Sequence, residues 1–97
     1  MHNYVVRVRG KTYAWGSSDI HIDLEYPLLL VINNDALGDP VELRSENVAG
    51  GVTALGTLQP GECWTLPLRG LRGVSAICST DTSLACSILV PHLGSQD

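Results

Sequence analysis

Cys63-Trp64-Thr65-Leu66-Pro67-Leu68, Arg69-Gly70-Leu71-Arg72-Gly73, Val74-Ser75-Ala76-Ile77-Cys78-Ser79, Thr80-Asp81-Thr82-Ser83 and Leu84-Ala85-Cys86-Ser87-Ile88-Leu89-Val90 run consecutively and decide the fold class. In the first, Trp64, Leu66 and Leu68 alternate with Cys63, Thr65 and Pro67, the period of two that a half-buried strand requires. Gly70 and Gly73 then interrupt the chain. Two further apolar stretches flank Thr80 to Ser83, a polar loop of hairpin length. The whole region reads strand, turn, strand, turn, strand, with almost no helical signal.

The same grammar extends toward the N-terminus. Tyr4, Val6 and Val8 alternate with Val5, Arg7 and Arg9; Gly10-Lys11 then reads as a turn, and 12–15 as a short partner strand. Ile20, Ile22, Leu24 and Tyr26 face away from His21, Asp23 and Glu25 in the cleanest alternation of the chain. After Pro27, residues 28–32 are continuously apolar, the pattern of a central strand buried on both faces or of one covered by a second subunit. Residues 33–40 are turn material, 41–46 alternate again, and 52–58 form a strand interrupted by Gly56. Pro60-Gly61 occupy the middle of a type II turn that feeds Cys63. Seven to nine short strands at about 8 to 12 residue spacing predict a small antiparallel β-sandwich or barrel. The tail from about His92 has little to bury and is expected to fray.

One core must serve the whole chain, because 97 residues bury only about 65% of their unfolded surface and two cores would each be too small. The absence of Phe leaves Leu, Val, Ile and Ala to fill it. A net charge of −4 argues against nucleic acid, which is held by clustered Lys and Arg. Arg7, Arg9 and Lys11 form the one basic cluster, a solvated strand face or a contact for an acidic partner. No apolar run approaches the roughly 18 residues of a membrane-spanning helix. The start does not resemble a secretory signal, so a cytoplasmic site of synthesis is expected.

Candidate chemistry is thin. His21, Asp23 and Glu25 share one strand face, but same-face neighbours stand about 7 Å apart and do not converge on an ion unaided. Ser, His and Asp occur without a nucleophile elbow. Cys63 has no His near it in sequence, and neither Gly50-Gly51 nor the loop at 69–73 has phosphate-loop spacing. No enzyme, cofactor or metal is expected. Three cysteines cannot all pair within the chain, which fits reduced thiols. A Cys78–Cys86 bridge is nevertheless open if a hairpin turns about Thr82 and sets the two opposite each other. Tyr13 and Trp15, on alternate positions, could stack on a sugar ring or anchor a protein contact; they could equally cap the core. With Arg7 and Arg9 they make up the expected contact surface.

Residues 58–68 (Leu-Gln-Pro-Gly-Glu-Cys-Trp-Thr-Leu-Pro-Leu) followed by 73–82 (Gly-Val-Ser-Ala-Ile-Cys-Ser-Thr-Asp-Thr) resemble the closing strands of small phage structural proteins. There a Pro-Gly turn, an apolar strand and a Thr/Ser-rich hairpin end a β-sandwich. The resemblance implies a virion component, such as a head decoration (cement) protein or a small tail or fibre module. It also implies a homo-oligomer, trimeric by preference, seated on a major capsid protein. The chain departs from cement proteins in lacking a long extended N-terminal arm. A carbohydrate- or protein-binding β-sandwich module is the alternative.

Overall fold

The computed structural model describes residues 2–16 and 28–89. Within them the chain is all-β and antiparallel: β1 (His2–Gly16), β2 (Leu29–Asn34), β3 (Val41–Asn47), β4 (Val52–Leu58), β5 (Cys63–Pro67) and β6 (Leu71–Leu89). They form one sheet curled into a half-barrel. The expected 20–26 strand with His21, Asp23 and Glu25, and the expected frayed tail, lie outside the described residues.

β6 is the spine of the sheet. It pairs with β1 along one edge, and along the other with β3 through its first half and β2 through its second. Leu29 faces Leu89 and Asn34 faces Leu84; beyond the 35–40 loop, Glu42 faces Ile77 and Glu46 faces Gly73. β2 and β3 are therefore one interrupted run, antiparallel to β6. The same holds one place further out, where β5 pairs with β2, β4 pairs with β3, and the turn at 59–62 joins them. The sheet has four long runs; two are interrupted by loops and the two continuous strands, β1 and β6, bend on the same line.

That line is where the sheet bends. On β1, Val8 faces Thr82 and Gly10 faces Cys78, so Arg9 alone opposes Ser79, Thr80 and Asp81. The unmatched residues force a corner, and Gly10 takes the positive φ (80°) it needs. How far β1 turns is measured by Tyr4, whose hydroxyl donates to the carbonyl of Ala14 at 2.6 Å. Ten residues of straight strand would hold them about 33 Å apart. β1 is thus folded back on itself, and the sheet becomes two leaves. One carries the N-terminal half of β1, the C-terminal half of β6, β2 and β5; the other carries the remaining halves, β3 and β4.

Two expected hairpin turns, at Gly10-Lys11 and at Thr80 to Ser83, are corrected by this arrangement. Each is a bend inside a continuous strand, and this merging is one reason six strands are found among the described residues instead of seven to nine. The Cys78–Cys86 bridge falls with the hairpin. Both cysteines lie on β6, Cys78 opposite Gly10 and Cys86 between Tyr4 and Ile32, and both are free and buried. The apolar run at 28–32 is also corrected: Leu28, Leu30 and Ile32 are buried, whereas Leu29 and Val31 are only half-buried on the outer face. β2 is nonetheless interior to the sheet, as expected of a central strand.

The inward positions of both leaves make a single core, with Leu30, Ile32, Leu43, Leu58, Leu84 and Trp15 among its largest members. Its closed end is polar and fully wired. Buried Asn34 donates from Nδ2 to the carbonyls of Asp39 (2.9 Å) and Leu58 (3.0 Å), and its Oδ1 accepts from the Thr82 hydroxyl (2.6 Å). The Thr80 hydroxyl donates to the Asp39 carboxylate, and the Asp35 amide to the Ser83 carbonyl at 3.1 Å. One side chain, Asn34, thereby fastens three of the four runs at the bend.

Candidate interaction surface

Of the four residues expected to form a contact surface, Arg7, Arg9 and Tyr13 are exposed and Trp15 is not. Tyr13 faces Ser75 but Trp15 faces Val74, so Ala14 is an extra residue that reverses the alternation. The bulge turns Trp15 into the core, where it is 2% exposed, while Tyr13 stays 46% exposed outside. The expected aromatic pair does not exist as a surface. Tyr13 instead lies against Gly73, and its hydroxyl donates to the Glu46 carboxylate at 3.0 and 3.1 Å. That bond raises the phenol's pKa. Arg72 stands 3.7 Å from the same carboxylate, and the Lys11 ammonium lies 5.7 Å from the Tyr13 ring centre. Arg7 forms a two-point pair with Asp81 at 2.7 and 3.1 Å, whose hydrogen bond holds the Asp81 carboxyl below the usual range.

The outer faces of the two leaves differ in chemistry. On the leaf with β3 and β4, Lys11, Glu42, Arg44 and Glu46 stand side by side, with Arg44 bound to Glu42 at 2.9 Å. The leaf with β2 and β5 has another character. Its registers place Asn3, Ser87, Val31 and Thr65 in one row and Val5, Ala85, Asn33 and Cys63 in the next. Leu89, Leu29 and Pro67 make a third. These eleven positions carry no charge, in a chain of net charge −4. Among the described residues, the first charged group of that face is Arg7, at the bend. Val5 is 70% exposed and Cys63 is an exposed free thiol.

Two hollows lie among the described residues. One, of about 420 Å³, is mostly apolar and lies where the two halves of the folded β4–β5 run approach, between Leu55 of β4 and Trp64 and Leu66 of β5. Gly56 permits the approach: a Cβ there would stand 3.2 Å from the Trp64 ring. The other, of about 330 Å³, is polar and follows the bend past Arg7, Asp35 and Asp81. No cluster of His, Cys, Asp and Glu among the described residues could hold a metal ion. No helix among the described residues is long and apolar enough to cross a membrane. No protein-family model, curated protein or solved structure matches this chain.

The charge-free face was not singled out in the sequence, although its signal is there. In 3–5, 29–33, 65–67 and 85–89, the half of each strand that normally carries charge carries Asn, Ser, Thr, Val, Ala, Leu or Pro. A missing charge makes no motif, and its meaning appears only when the four strands are laid side by side.

Proposed function

We propose that this protein is a non-enzymatic structural component of a virion, a head decoration protein that docks on a major capsid protein through the charge-free outer face of its β2–β5 leaf. The observation that carries the reading is the contrast between the two leaves. An uncharged face gives up little hydration when covered, because no ion has to be stripped of water and re-paired. The resemblance of 58–68 and 73–82 to the closing strands of phage structural proteins supports the same role. The rival reading as a sugar-binding module needed Tyr13 and Trp15 together and loses one of its two rings to the core.

The test is co-sedimentation with preformed capsids of the chain's own source. Wild-type protein is expected to saturate at a stoichiometry fixed by the lattice. Ala85→Arg and Val31→Lys are expected to abolish binding while the fold persists, since both side chains point outward; Thr57→Lys, on the other leaf, is expected to bind normally. Wild type that fails to sediment, or binding indifferent to Ala85→Arg, overturns the proposal.

A further inference from the structure

β1 and the β4–β5 run are the two outermost runs of the sheet, each with a hydrogen-bonded neighbour on one side only among the described residues. The four runs alternate in direction, so the outermost two are antiparallel to each other. That relation lets the first run of one copy extend the sheet beyond the last run of another by an ordinary antiparallel ladder. Because all four runs bend on one line, the corners of two such copies coincide. A sheet with an odd number of runs could not do this.

Charge selects which edges meet. β1 carries Arg7, Arg9 and Lys11 and no acid, while 52–67 carries Glu62 and neither Lys nor Arg. Pairing β1 with β1 would set cation against cation. Pairing β4 with β4 would have to match two strands that each carry the bulge at Leu55, where the alternation shifts. The mixed pairing has neither fault. At the bend Arg7 is paired with Asp81 and Lys11 lies over Tyr13, whereas exposed Arg9 has no ion pair within 4.0 Å among the described residues and acts on the Asp81 carboxylate only from further off. Exposed Glu62 uses one carboxylate oxygen to accept from the Gln59 amide at 2.7 Å, within its own turn. Between them β4 offers Val52, Thr53, Ala54 and Leu55, an exposed edge with none of the charges or prolines that usually blunt one.

We infer that copies of this chain associate head to tail, β1 of one adding antiparallel to the β4–β5 run of the next, with Arg9 of one copy against Glu62 of its neighbour. The contact is heterologous, so it propagates until it closes into a ring, and the curl of each sheet turns successive copies toward closure. The inference does not rest on capsid docking, which uses a leaf face and not the edges.

Light scattering on a size-exclusion column, in reducing buffer at low and high ionic strength, tests it. Wild type is expected to give a discrete oligomer that weakens as salt rises. Arg9→Glu and Glu62→Arg are each expected to raise the dissociation constant roughly tenfold or more, by placing like charges together. The double variant restores opposite charges and is expected to recover the association. Glu62→Gln, which keeps the turn acceptor, separates loss of charge from loss of the turn and is expected to weaken association less than Glu62→Arg. A monomeric wild type at low salt, or an oligomer that neither single reversal weakens, overturns the inference, and so does a double variant no tighter than the singles.

Discussion

At the scale of single residues, the fold depends on a polar side chain inside an apolar core. Asn34 uses both amide hydrogens and its oxygen at the bend. Asn34→Leu keeps the volume and orphans two carbonyls and the Thr82 hydroxyl. It is expected to cost about 3 kcal/mol, a large share of a small domain's stability, read from the urea midpoint. Asn34→Asp is expected to be as damaging at neutral pH, because it buries a carboxylate against those carbonyls, and to recover partly on acidification. Cys86 makes a second residue-scale prediction. Burial pushes its thiol up to about 11 from an ordinary 9.0. Above the ordinary value the unfolded chain loses this proton while the folded chain keeps it, so stability is full below about pH 9 and falls as pH climbs toward about 11. The expected loss is about 2–3 kcal/mol, and a Cys86→Ala variant is expected not to show it.

At the scale of elements, the decisive feature is a bend shared by several strands. Gly10 holds its positive φ with open space around the position of a Cβ. Gly10→Val is therefore expected to cost about 1–2 kcal/mol from backbone strain alone, and Gly10→Asn clearly less, when the two are compared by thermal melting. The same position shows what the sequence can and cannot tell. Alternation in the sequence places Tyr4, Val6, Val8, Trp64, Leu66 and Leu68 correctly toward the core, since side-chain period depends only on the local backbone. Gly10-Lys11 and Thr80 to Ser83 announce correctly that the chain changes direction. Neither tells whether the two flanking stretches pair with each other or both pair with a third strand, because that depends on residues some seventy positions away. Trp15 is misplaced for a related reason: the bulge at Ala14 is a mismatch between two strands and has no signature in either alone. Among candidate contact residues, then, exposure was legible for Arg7, Arg9 and Tyr13, while the charge-free face required the lateral order of four strands.

At the scale of the whole molecule, the protein presents an uncharged leaf face and two edges of unlike charge, to which the two proposals assign separable tasks. A leaf face without charge suits a partner of different kind, and two complementary edges suit another copy of the same chain. Capsid binding reads the first and solution mass reads the second, so Ala85→Arg is expected to leave the oligomer intact while Arg9→Glu dissociates it. The central place of β6 has a further consequence, for the timing of folding. This strand is the last described element to be synthesised, yet β1, β2 and β3 are each hydrogen-bonded to it, β1 along its whole length. Closing the loop between β1 and β6 sacrifices chain entropy before any core exists, which places the domain among slow, high-contact-order folders. Before β6 has emerged, β3 can pair with β4 and β5 with β2, but among the described strands β1 has no other partner, so the two pairs and β1 stay unjoined until β6 is made.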